Sequence, residues 1–133
     1  MLKELNSKAD NNFMQDRRKY PRVDVFSSIS YICIDKNGNI VSQNMGVVLN
    51  VSQNGVLLEA SCLVESEYVM LMAVDFNNKL IEIKGKIEYC RKNKSDKFKA
   101  GISLQGTHEE NVRFVKKLLK AHRYRKHNLG VAN

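Results

Sequence analysis

Between Val23 and Gly106 the apolar residues recur at every second position in short runs, the period of a strand with one buried face. Val23 and Val25, then Ile29, Tyr31 and Cys33, alternate with Asp24, Ser28 and Ser30. A second run passes through Ile40 and Val41, with a bend expected near Met45-Gly46, and on through Val47-Val48-Leu49. Val56 to Ala60 makes a third run and Tyr68 to Phe76 a fourth. The fifth is the most regular, with Ile81, Ile83, Gly85, Ile87 and Tyr89 on one face and Glu82, Lys84, Lys86 and Glu88 on the other. Phe98 to Leu104 ends the series and puts Ala100, Ile102 and Leu104 on one side. Turn chemistry separates the runs: Asn37-Gly38 within Asp35 to Asn39, the stretch Asn50 to Gly55, and Asn77-Asn78. Asn and Gly tolerate positive φ, and Asn, Asp and Ser bond their own backbone. Six or seven short strands joined this way predict an antiparallel barrel or sandwich.

The period changes at Thr107. Thr107-His108-Glu109-Glu110 is a capping box, with Thr107 placed to cap and Glu110 to reach back. Val112, Val115, Leu119 and His122 then recur at helical spacing, joined by Phe114 and Leu118, which predicts an apolar stripe packed on the barrel or on a partner. The chain therefore reads as mainly β, a barrel over residues 23–106 followed by a helix over 107–127. Residues 1–16 read as a flexible polar tail and 128–133 as a short second one.

Charge adds one element to this picture. The formal net charge is +8. Arg113, Lys116, Lys117, Lys120, Arg123, Arg125 and Lys126 fall between Val112 and His127 with no acid among them, so the basicity is largely a property of this one element. A smaller basic cluster, Arg17-Arg18-Lys19 with Arg22, precedes the first strand, and either cluster suits an anion. Composition is otherwise that of an ordinary globular domain, 43% hydrophobic and 27% charged over 133 residues, enough for one core. No run approaches the roughly 18 apolar residues of a membrane span, and the N-terminus lacks a secretory apolar core, so a cytoplasmic protein is expected. Cys33, Cys62 and Cys90 are odd in number and widely spaced, which speaks against a disulfide framework or a zinc site and for buried thiols. No Ser/His/Asp, Cys/His or metal-ligand constellation can be read, so an enzyme is not expected, and His108 and His122 read as structural.

Two short motifs carry the candidate chemistry. In Arg17-Arg18-Lys19-Tyr20-Pro21-Arg22, four cations crowd six residues, and Pro21 biases Tyr20 toward extended backbone. Arg18 and Arg22 thus offer two guanidinium forks from one loop, suited to phosphate or to the O6/N7 edge of guanine. In Asn50-Val51-Ser52-Gln53-Asn54-Gly55, Asn50 and Ser52 are two apart and face one side of an extended segment, where amide and hydroxyl suit the edge of a guanine. Gly55 is expected to permit a turn conformation that a side chain would oppose. Taken singly, each motif has a plain alternative, a solvated basic run or an ordinary turn.

In this order, on this framework, the pair resembles the PilZ domain family, whose pattern is R-x-x-x-R before the first strand and [D/N]-x-S-x-x-G about thirty residues on. The resemblance covers roughly residues 17 to 120, including Ala100-Gly101-Ile102-Ser103-Leu104. It implies a six-stranded antiparallel PilZ-type β-barrel with a C-terminal α-helix, a domain over 17–127 with a binding loop at 17–22, and cyclic di-GMP as ligand. It makes Arg18 and Arg22 the clamps on phosphates and guanine, Asn50 and Ser52 the holders of a guanine edge, and Gly55 the shaper of the turn. Arg17, directly before the motif, implies two stacked ligand molecules per chain. The expected role is a bacterial second-messenger receptor, a monomer or weak homodimer that signals to a protein partner. The rivals are a basic small-barrel nucleic-acid module, disfavoured because the strands show no exposed aromatic platform, and a PilZ-like adaptor without ligand.

Overall fold

The computed structural model describes the backbone of residues 22–132 and the side chains of residues 22–123. Six strands, β1 (Val23–Ile34), β2 (Ile40–Val51), β3 (Gly55–Ala60), β4 (Tyr68–Val74), β5 (Leu80–Lys92) and β6 (Phe98–Leu104), close into an antiparallel barrel in the order β1-β2-β3-β6-β5-β4. One helix, α1 (His108–Ala132), follows. The fold class is the one expected, a barrel rather than a sandwich. Closure leaves no unpaired strand edge among the described residues.

Three hairpin turns share one geometry, and it follows from their residues. Asp35, Asp75 and Asn93 each open a loop by accepting two backbone N–H bonds on one side-chain oxygen. The donors are Asn37 and Asn39 (both 2.9 Å), Asn77 and Lys79 (2.8 and 2.9 Å), and Ser95 and Lys97 (2.9 and 3.0 Å). The fourth residue of each is left-handed: Gly38 at φ 82°, Asn78 at 62° and Asp96 at 63°. These are the residue types that reach that region at least cost. The two aspartates are held below the usual carboxylate range, chiefly by the backbone N–H groups of Asn39 and Lys79.

Inside the barrel, Val25, Ile29, Tyr31, Val48, Val51, Val56, Leu58, Val69 and Leu71 are at most 1% exposed. Ala100, Ile102 and Leu104 face inward as the alternation predicts. The fifth strand departs from it. A bulge between Ile87 and Tyr89 slips the register against β6 by one residue, so Tyr89 turns outward and Cys90 packs on the core. The Tyr89 ring then lies flat over Gly101, where a Cβ would collide with it, and under the Arg91 guanidinium at 5.0 Å. Period alone placed Tyr89 inside, since nothing in the alternation records an inserted residue. β2 runs unbroken to Val51, with its irregularities at Ile40/Ser42 and Val48/Asn50 rather than near Met45-Gly46.

Of the three thiols only Cys33 is fully buried; Cys90 is half-buried and Cys62 is exposed in the β3–β4 link rather than on a strand. Cys62 meets the Tyr31 hydroxyl, whose pKa is pushed up to about 12, first by burial and then by its neighbouring thiols.

The capping box forms as read. Glu110 N–H donates to Thr107 Oγ1 (3.1 Å) and Thr107 N–H donates to Glu110 Oε1 (2.8 Å). The helix packs Phe114, Val115, Leu118 and Ala121 inward, with Val112, Leu119 and His122 only half-buried, so the stripe lies slightly round from the one expected. Asn111 is buried beside it and pins the junction: its amide donates to the Leu104 carbonyl (3.3 Å), and its oxygen accepts from Gly106 N–H (3.0 Å). The helix continues to Ala132, through the 128–132 stretch expected as a tail. No proline follows His127 to stop it, and Gly130 alone costs a helix only about 1 kcal/mol.

Candidate functional site

The start of β1, the β2–β3 turn and the end of β6 meet at one end of the barrel. Val23 pairs with Val51 and Asp24 with Asn50, while Gly55 pairs with Ser103. Ser52 N–H donates to the Gly55 carbonyl at 2.8 Å, closing the turn, and Leu104 N–H donates to the Asn54 carbonyl at 2.8 Å, tying it to β6. Val51 is buried between two half-buried neighbours, Asn50 and Ser52, so these present their side chains to the same outer side.

This geometry joins both sequence motifs. Arg22 Nη1 donates to Asn50 Oδ1 at 3.0 Å, across 28 residues of chain. A Cβ built on Gly55 would lie 3.8 Å from Arg22 Nη2 and 3.8 Å from Ser52 Oγ, so both polar groups border the same patch of backbone. Four of the six expected site residues, Arg22, Asn50, Ser52 and Gly55, therefore cluster. Arg17 and Arg18 lie outside the described residues.

The reason for glycine at position 55 is not the one expected. Gly55 has no positive φ; it is the buried first residue of β3. A Cβ there would sit 2.9 Å from the backbone oxygen of Ile102. Close approach of two strands, not turn conformation, demands the missing side chain.

Sequence reasoning missed two neighbours. Asp24 stands directly opposite Asn50 in the β1–β2 ladder, which puts a carboxylate on the same face about 5 Å away, Cβ to Cβ. Ser103, opposite Gly55, donates to Glu88 Oε2 at 2.6 Å and accepts from Gln105 Nε2 at 3.0 Å. Both follow from strand register, which one strand's alternation does not reveal. Two aromatic side chains on the strands are also exposed, against expectation: Phe26 at 66% and Tyr89 at 44%. Phe26 is turned out by a bulge between Asp24 and Ser27 and Tyr89 by the β5 bulge, on two strands that are not neighbours in the barrel, so they form no common stacking platform.

Among the described residues no cluster of three or more His, Cys, Asp or Glu is arranged to hold a metal, and no helix is long and apolar enough to cross a membrane.

No family model matches the sequence, and no curated protein matches it. Solved structures do match its fold. MotI/DgrA, the inhibitor of motility of Bacillus subtilis, superposes with a TM-score of 0.56 at 17% identity, over 85% of this chain and 53% of that one. The K. pneumonia MrkH–c-di-GMP complex gives a TM-score of 0.55 at 16% identity, over 85% of this chain and 55% of that one. This chain thus spans about half the length of either. The PilZ domain of Escherichia coli YcgR with c-di-GMP gives a TM-score of 0.52 at 9% identity, over 86% of this chain and 98% of that domain. With six strands closed in this order and one C-terminal helix, the chain has the fold of a PilZ domain.

Proposed function

We propose that the chain is a non-catalytic receptor for cyclic di-GMP. The observation that carries this reading is the convergence of Arg22 with Asn50, Ser52 and Gly55, a turn that begins 28 residues further along the chain, at one end of the barrel. The fold supports it, since solved structures that share it include complexes of MrkH and of YcgR with c-di-GMP. In this reading Arg22 and Arg18 grip phosphate and guanine with their guanidinium forks, and Asn50 and Ser52 meet a guanine edge. The Asn50 amide supplies one acceptor, and Asp24, opposite it in the ladder, offers a further one for guanine N–H groups. Arg17 stacks on or bonds to a second, intercalated ligand, giving two molecules per chain.

The signal would arise from charge. Four cations in residues 17–22 repel one another until the ligand's two phosphates come between them. Closing that loop on the barrel creates or hides a surface for a protein partner.

Titration calorimetry with cyclic di-GMP tests the reading. Wild type should bind, with Arg18→Ala and Arg22→Ala weakened about 10- to 100-fold, the range for losing hydrogen bonds to a charged group. Two ligands per wild-type chain and one per Arg17→Ala chain are expected. Absence of binding by wild type would refute the receptor reading, and one ligand in both would refute only the stoichiometry.

A further inference from the structure

One wall of the barrel is nearly free of charge on its outside, and apolar side chains gather there around one groove. β2, β1 and β4 are neighbours in the closed order, and their 12, 12 and 7 residues contain a single charged side chain, Asp24. The chain as a whole is 27% charged, and β5 alone holds six charges in 13 residues. On β5 the outward positions are Glu82, Lys84 and Lys86, as a solvated barrel exterior requires. On the wall they include Phe26, Met45 and Val74, with Leu80 at the start of β5 alongside, exposed by 66, 64, 46 and 59%. These four, with half-buried Met72, line one open groove of about 700 Å³ that His122 of α1 borders. Ile40 and Val41, 68 and 64% exposed, make a second apolar spot at the start of β2, set apart from Met45 by the exposed Ser42 and Gln43.

Scattered apolar side chains on a surface are ordinary, but a continuous patch marks an interaction site. Phe26 sharpens the case. It holds φ at 50°, a region bulky L-residues rarely enter, and the bulge that puts it there turns its ring to the outside. Every wall strand is paired on both sides, so a partner cannot add a strand and must pack against side chains.

Charge indicates which partner. An acidic molecule would be drawn to Arg113, Lys116, Lys117 and Lys120 on α1, not to an uncharged wall. Two copies of a +8 chain repel wherever their basic faces meet, and this wall is where they approach with least repulsion. The area suits a weak pair. From Phe26 to Ile34 the wall is about 26 Å long, and β2 to the start of β5 is about 14 Å across. With side-chain relief that is on the order of 500 Å² per copy, or about 1,000 Å² for two, the low end of specific interfaces.

We propose that this wall is a self-association surface, through which two copies of the chain pack β1, β2 and β4 face to face in a reversible dimer. Arg22 and Asn50 line no part of the groove. Sedimentation velocity of the full chain without nucleotide, over about 1 to 300 µM, should show a monomer–dimer equilibrium with Kd on the order of 10–100 µM. Met45→Lys should weaken it at least tenfold. Ser95→Lys, which adds the same charge on the β5–β6 turn across the barrel, should leave it unchanged. Leu80→Lys serves as a second wall variant should thermal unfolding show Met45→Lys misfolded. Wild type monomeric throughout, wall variants that associate like wild type, or equal weakening by Ser95→Lys would each overturn the proposal.

Discussion

Gly55→Ala separates two reasons for a glycine at the candidate site. The added methyl would lie 2.9 Å from the Ile102 carbonyl oxygen, closer than a Cβ tolerates. That oxygen belongs to the backbone of β6, held in register with β3 from Gly55↔Ser103 to Ala60↔Phe98, so it cannot rotate away as a side-chain tip would. The strands must separate locally by a few tenths of an ångström, which for a packed interior costs roughly 1–3 kcal/mol. In a domain of this size that lowers Tm by roughly 4–15 °C. Arg22 Nη2 and Ser52 Oγ stand at 3.8 Å, ordinary contact, and add nothing to the cost. Thermal and urea unfolding without nucleotide measure the steric effect apart from any ligand. Gly55→Asn is the decisive companion: asparagine enters the left-handed region readily but still carries a Cβ. Close approach predicts that it destabilises at least as much as alanine. A stable Gly55→Ala, or Gly55→Asn markedly better tolerated than Gly55→Ala, would refute the steric account.

Asn78→Gly should stabilise the β4–β5 hairpin by a few tenths to about 1 kcal/mol, because Asn78 holds φ at 62° and Gly38 fills the equivalent place in the β1–β2 hairpin; urea midpoints would show it. Thr107→Ala should cost about 1 kcal/mol by leaving Glu110 N–H without its cap, seen as a lower Tm with helical ellipticity reduced at the same temperature. Asp75 has its folded pKa depressed, so its contribution to stability is full above the unfolded value near 4 and lost as pH falls through the lower folded value. Urea unfolding followed downward from neutral pH should therefore show an acid-side loss that is shallower in Asp75→Asn, and identical slopes in the two proteins would contradict the assignment.

Alternation and turn chemistry alone determined a run of six or seven strands, the order of elements, the capped helix and the hairpins at Asp35 and Asp75, because each depends on residues within a few positions of one another. The two motifs were legible for the same reason: Arg18 to Arg22 and Asn50 to Gly55 are local patterns. Only the tertiary structure decided that β2 delivers Asn50 to Arg22, that Asp24 and Ser103 flank the patch, and that Gly55 is small because β6 passes close behind it. Those facts come from register, which pairs residues dozens apart. A single bulge changes it, as Tyr89 and Phe26 show by facing outward. The apolar groove on the outer wall was hidden for a related reason. An outward Met45 and an inward Val48 read alike along the chain, and only closure of the barrel shows which of them water touches.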